Sequence, residues 1–243
     1  MNIRIITTSA LTLFSAAILS AQGFANFKVE GALTATHLKH NTGVPSVIET
    51  VIPSDLNLKE LPVKYKLLSS CSIDEATPLN NDFTKAKTVV VNKKDGTSAT
   101  WNINVHQLVP GKLPLEIAFS KTNPCSPEAG AKPWAGYGID YTKPTVARMG
   151  NNGIGFFAAY DGAATEVSFD LTAVGGKEFK GELDVETSVD GKKWSNLKTF
   201  TPGSFTATES FTLELPSEAR YVRWIYAVRE EKQNVNLNNI LIK

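Results

Sequence analysis

Thr88-Val89-Val90-Val91-Asn92-Lys93-Lys94-Asp95-Gly96-Thr97-Ser98-Ala99-Thr100-Trp101-Asn102-Ile103-Asn104-Val105 is the stretch that decides the fold. Two runs rich in β-branched residues flank Asp95-Gly96. That dipeptide tolerates positive φ and so closes a tight hairpin. On the return strand Trp101, Ile103 and Val105 alternate with Asn102, Asn104 and His106. Successive side chains on a strand point to opposite faces, so one face is expected buried and the other wet.

The same grammar extends in both directions. Upstream, Phe24 to Gly31, Val47 to Val51 and Pro62 to Leu68 read as strands, with Pro53 ending the second. Downstream, Leu108-Val109-Pro110-Gly111 is the best linker candidate. Beyond it come Leu115 to Phe119, Thr145 to Met149, Gly153 to Ala158, Thr165 to Thr172 and Gly181 to Val189. Lys193 to Phe200, Glu209 to Leu215, Arg220 to Val228 and Val235 to Ile242 complete the series. A second Asp-Gly turn, Asp190-Gly191, joins two of these. No segment carries a 3.6-residue period. The predicted fold class is therefore all-β, with antiparallel sheets packed as sandwiches: one over residues 22–110 and a jelly roll over 111–243.

Composition narrows the function classes. Hydrophobic residues make up 42% of the 243 and charged residues 20%, enough for a packed core. Lys and Arg total 25 against 24 Asp and Glu, which argues against a broad nucleic-acid or anionic-lipid surface. Met1-Asn2-Ile3-Arg4 is a short positive start, followed by an uncharged run from Ile5 to Ser20. That run falls short of the roughly 20 residues of a membrane span, and Leu19-Ser20-Ala21 supplies a small residue for cleavage. Residues 1–21 are expected to be a signal peptide, giving a secreted, periplasmic or cell-surface protein with no membrane insertion of the mature chain. In such a compartment Cys71 and Cys125 read as a disulfide, whose closed loop would stabilise by about 4 kcal/mol; two separate buried thiols are the alternative.

Leu183-Asp184-Val185-Glu186-Thr187-Ser188-Val189-Asp190-Gly191-Lys192-Lys193-Trp194 is an alternating strand, a Ser-x-Asp-Gly turn and a tryptophan. Pro216 then precedes Ala219-Arg220-Tyr221-Val222-Arg223, and a final strand runs from Asn236 to Ile242. In order and spacing these elements resemble the galactose-binding-like (discoidin-type) jelly rolls. Asp82-Phe83, Thr88 to Val91, Lys94-Asp95-Gly96 and Trp101 to Val105 resemble the small immunoglobulin-like modules of secreted proteins in glycan-utilising bacteria. Together the resemblances imply non-catalytic binding of carbohydrate or a cell-surface partner through loops at one end of the sandwich.

Trp134-Ala135-Gly136-Tyr137-Gly138-Ile139-Asp140-Tyr141 supplies the ligand-site expectation. Aromatic rings stack on sugar faces while carboxylates and amides bond hydroxyls. Trp134, Tyr137, Asp140 and Tyr141, with Arg148, Asn151 and Asn152 from a neighbouring loop, are therefore the candidate ligand-binding residues. The alternative is that these aromatics cap the sandwich or pack between domains. Trp194 and Trp224 are expected in the core, and Arg220 and Arg223 paired with strand carboxylates.

Glu182, Asp184 and Glu186 alternate on one strand, as in the catalytic strand of laminarinase-like retaining glycosidases. A retaining pair needs carboxyl groups about 5 Å apart, whereas Cα atoms four residues apart on a strand lie about 13 Å apart. A solvated strand face is the simpler reading. His37 and His40 would point to opposite faces of a strand, which defeats chelation. No Gly-x-Ser-x-Gly elbow is present. No catalytic residue, metal site or cofactor is expected; a structural calcium stays open, although no ligand-spaced Asp/Asn loop marks one. Three readings follow: a carbohydrate-binding protein first, a structural or protein-adhesion module second, and a glycosidase using Glu182 and Glu186 third.

Overall fold

The structure, a computed structural model, describes residues 23–176 and 178–243; the expected signal peptide and its cleavage point lie outside them. The chain is all-β. Its amino-terminal unit contains β1 (Phe24–Val29), β2 (His37–Lys39), β3 (Ser46–Pro53), β4 (Val63–Leu67), β5 (Cys71–Ile73), β6 (Lys87–Lys93) and β7 (Ser98–Leu108). β1 and β4 pair as a two-stranded sheet, and the larger sheet runs β2-β3-β7-β6-β5. Phe24, Phe27 and Val29 from the small sheet meet Ile48, Ile52, Val89, Val91, Trp101, Ile103 and Val105 from the large one. Trp101 is completely buried, and a ring of that size contributes about 4–6 kcal/mol of transfer free energy before entropy is counted. The β6–β7 hairpin closes through Gly96 at φ +83°.

β3 departs from a purely antiparallel sheet, because it lies parallel to β7, from Ser46 opposite Trp101 to Pro53 opposite Leu108. Alternation reveals a strand's faces but not its direction, so the sequence carried no sign of this.

The carboxy-terminal unit contains β8 (Gly111–Lys112), β9 (Leu115–Ile117), β10 (Gly130–Lys132), β11 (Trp134–Tyr137), β12 (Ala147–Met149), β13 (Ile154–Asp161) and β14 (Glu166–Ala173). The series continues with β15 (Glu182–Ser188), β16 (Ser195–Phe200), β17 (Thr208–Glu214), β18 (Tyr221–Val228) and β19 (Val235–Ile242). One sheet runs β11-β13-β18-β15-β16, and the facing sheet runs β12-β19-β14-β17 with β9 also on β19. Phe156, Leu183, Val185 and Trp224 of the first sheet pack against Val167, Phe169, Leu237 and Ile240 of the second. The period-2 pattern is plain in β14, where every second residue is buried.

The stretch from Ser120 to Lys143, irregular in sequence, stitches the units together. β10 runs parallel to β7 of the first unit, and β11, one residue later, joins β13 of the second. Around this crossing Leu33, Val51 and Leu108 of the first unit form one apolar cluster with Ala135, Phe157 and Ala159 of the second.

This junction overturns the expected wet face of β7: Asn104 and His106 are buried because the second unit covers them. At its centre lies Glu49, only 3% exposed. Its Oε2 accepts the Gly138 N–H at 2.8 Å, and its Oε1 stands 3.8 Å from His106 Nε2. The buried Tyr141 hydroxyl is adjacent, seated against Gly136, where a Cβ would come within 2.6 Å of it. Burial first, and then the Glu49 charge, push Tyr141 well above the ordinary tyrosine range.

The expected disulfide is not formed. Cys71 sits on β5 against the amino-terminal core and Cys125 is buried in the carboxy-terminal core; both are free thiols. One cysteine in each of two separate cores cannot supply the close Cα approach a bridge demands.

Candidate functional site

β15 carries the carboxylate array. Leu183 and Val185 point into the core, so Glu182, Asp184 and Glu186 share the outer face. Register sets β18 on one side, with Arg223 opposite Glu186, and β16 on the other, with Thr199 opposite Asp184 and Asn196 opposite Glu186. Arg223 Nε donates to Glu186 Oε2 at 2.6 Å, a short charge-assisted bond. Thr199 Oγ1 donates to Asp184 Oδ1 at 2.6 Å, while Asn196 Nδ2 reaches both Asp184 Oδ1 at 3.3 Å and Thr199 Oγ1 at 3.0 Å.

Trp194 stands at the head of this face. The β15–β16 turn that delivers it is internally braced: Ser188 Oγ accepts the Gly191 N–H at 2.9 Å, and Asp190 Oδ1 accepts those of Lys192 and Lys193 at 2.8 and 2.9 Å. Those backbone bonds, Lys193's first, hold the Asp190 carboxyl below its usual range. The Arg223 guanidinium lies 4.2 Å from the centroid of the Trp194 ring, a cation–π contact. Edge contacts to Phe157 at 5.8 Å and Tyr221 at 6.5 Å fix the ring from the side.

This position corrects the core expectation for Trp194, which is half-buried on the outer face; Trp224 is fully buried as expected. Both are strand-adjacent aromatics, but Trp194 follows a turn, where strand alternation no longer assigns a face. Arg223 does pair with a strand carboxylate. Arg220 instead donates to the carbonyls of Ser217 and Ala219. His37, on β2, meets Tyr137 at the junction, and His40, just past the end of that strand, meets Trp101 of the amino-terminal core.

The seven residues expected to bind ligand are spread over several surroundings. Trp134 stacks on Phe156 at 5.6 Å and touches Phe119, packing against the core, with Lys132 Nζ 4.9 Å from its ring. Tyr137 packs edge-on against His37 and Phe157 in the junction, and Tyr141 buries its hydroxyl there. Asp140 caps its own turn through two bonds from Thr142; these, aided by Arg148 and Lys39, outweigh burial, the largest single influence, and lower its pKa. Its backbone N–H donates to the Arg148 carbonyl, while the Arg148 side chain lies along the facing sheet on Asn236. Asn152 accepts the Arg229 N–H, and Asn151 is exposed. Thus Asp140 and Arg148 meet through a backbone hydrogen bond, whereas Trp134 packs against the carboxy-terminal core and Tyr137 and Tyr141 reach the junction.

Glu49 and Leu33 were not singled out in the sequence. A usable signal existed for Glu49. It sits in Ser46-Val47-Ile48-Glu49-Thr50-Val51-Ile52, apolar on both faces, which marks a strand covered on both sides. No group of three His, Cys, Asp or Glu residues able to hold a metal occurs among the described residues. Nor is any helix among them long and apolar enough to cross a membrane.

No protein-family model and no curated protein matches the chain. Among solved structures it is similar to a protein of Bacteroides thetaiotaomicron provisionally described as a glycoside hydrolase, at 10% identity and a TM-score of 0.49, covering 92% of this chain and 97% of that one. The K3 adhesin domain of Lys-gingipain from Porphyromonas gingivalis matches at 11% identity and 0.42, over 53% of this chain and 98% of that one. A family 29 carbohydrate-binding module from Piromyces equi matches at 11% identity and 0.35, over 46% and 80% respectively. With TM-scores below 0.5, these likenesses carry no inference to a ligand.

Proposed function

We propose that the protein is an exported, non-catalytic carbohydrate-binding protein whose contact surface is the outer face of β16, β15 and β18, with Trp194 at its head. The observation that carries this reading is the half-buried Trp194 ring, held on Arg223 at the head of the sheet face that also carries Asp184, Asn196 and Thr199. An indole offers an apolar platform for the C–H face of a sugar ring. Carboxylate, amide and hydroxyl groups fixed on a rigid sheet offer directed hydrogen bonds to its hydroxyls. Arg223 braces the ring and neutralises Glu186, so both roles are pre-organised. In the same reading the amino-terminal unit is an immunoglobulin-like module and the carboxy-terminal unit a galactose-binding-like jelly roll. Supporting the latter are the Ser188–Gly191 turn and the placement of Tyr221-Val222-Arg223 on β18 beside β15.

Calorimetry against a panel of neutral and charged oligosaccharides tests it. The wild type is expected to bind at least one, and Trp194→Ala to weaken that binding 10-fold or more, about 1.4 kcal/mol. A folded wild type that binds no glycan overturns the reading. Saturable binding to a protein partner, unmoved by excess sugar, would replace it with the adhesion reading.

A further inference from the structure

We propose that Leu33, in the amino-terminal unit, is a positioning residue for Trp194, so that the ligand face is built by both units; its bearing on ligand rests on the carbohydrate-binding reading above. Leu33 belongs to a connection between β1 and β2, yet it is only 8% exposed. Its N–H donates to the Val51 carbonyl at 2.8 Å, which fixes its backbone on β3. Its side chain then crosses the junction to the β15–β16 turn. The Leu33 methyl carbons would stand 3.0 and 3.4 Å from a Cβ placed on Gly191, and Gly191 itself has φ +70°. Glycine at 191 therefore serves two needs: the left-handed turn and the close seat for Leu33.

The consequence reaches the indole by two routes. Leu33 lies against the turn three residues before Trp194, and it shares an apolar cluster with Phe157, against which the indole edge rests. Trp194 and Tyr221 pack at the margin of that same cluster. Removing the isobutyl group leaves a void at the turn, and Trp194 loses its fixed orientation over Arg223. No residue of the amino-terminal unit need touch the ligand for this to alter affinity.

The test uses the full chain. Subtracting the fluorescence of Trp194→Phe from that of the parent isolates the Trp194 emission. In Leu33→Ala this emission is expected to shift to the red and to become more accessible to acrylamide, with glycan affinity falling about 5- to 10-fold. Leu33→Met, which conserves volume, is expected to restore both within about 2-fold. Val89→Ala, a core truncation in the same unit away from the turn, should leave the Trp194 emission unchanged, separating positioning from general loss of stability. Should Leu33→Ala fail to fold, Leu33→Val provides the same readouts at smaller amplitude. Unchanged Trp194 emission in a folded Leu33 variant overturns the proposal. A wild type that binds no glycan, with the emission shift still present, refutes the ligand reading and supports the positioning of Trp194.

Discussion

Glu49→Ala is the substitution that most directly probes how the two units are joined. The carboxylate is buried, accepts the Gly138 N–H at 2.8 Å across the junction and faces His106 at 3.8 Å. Truncation strips the Gly138 donor of its acceptor, which costs about 1–3 kcal/mol where water cannot replace it. It also leaves His106 and the Tyr141 hydroxyl around an empty space. The 3.8 Å separation from His106 Nε2 is too long for a hydrogen bond, so the bond to Gly138, made to a carboxylate, sets the cost at the upper end of that range. The expected loss is about 3 kcal/mol. For a chain of this size that lowers Tm by roughly 6–12 °C. Glu49→Gln keeps an acceptor for Gly138 and should cost only about 1 kcal/mol. Differential scanning calorimetry reads both values, and Glu49→Ala is further expected to split one transition into two as the units uncouple. A Glu49→Ala protein melting within 1 °C of wild type, in the same single transition, would refute the idea that this carboxylate ties the junction.

Two further outcomes follow from the titrating groups. Burial lowers the His37 pKa below its ordinary 6.5, an effect that Glu49 opposes and Lys39 reinforces. The folded state therefore binds the His37 proton less readily than the unfolded chain, and stability contributed by neutral His37 should fall as pH drops from above 6.5 toward the folded value. Thermal melts at pH 7.5 and 5.5 should show a decrease that His37→Phe reduces; an identical pH dependence in both proteins would exclude His37 as its source. Burial raises the Cys125 thiol to about 12, whereas Cys71 is half-exposed on β5. Native protein should label one thiol with iodoacetamide at pH 7.5 and two after denaturation, with peptide mapping placing the native label on Cys71; a disulfide-linked peptide containing both cysteines would contradict the structure.

The sheet framework was legible from single residues because strand periodicity and turn chemistry are local. Trp101, Ile103 and Val105 alternate with polar neighbours, and the Asp95-Gly96 and Asp190-Gly191 turns accept backbone angles few residues tolerate. The burial of Trp224 and the pairing of Arg223 with a strand carboxylate could be read the same way. Only the tertiary structure decided that β3 runs parallel to β7, that Asn104 and His106 lie under a second unit, and that Cys71 and Cys125 belong to different cores. It also divided the aromatics of 134–141 between the carboxy-terminal core and the junction, while placing Trp194 over Arg223 on the outer sheet face. For the burial of Asn104 and His106 the physical reason is plain. Alternation tells a side chain which of two faces it shares with its neighbours, but what covers that face comes from residues distant in the chain, and here the covering is done by β10, β11 and the junction around Glu49.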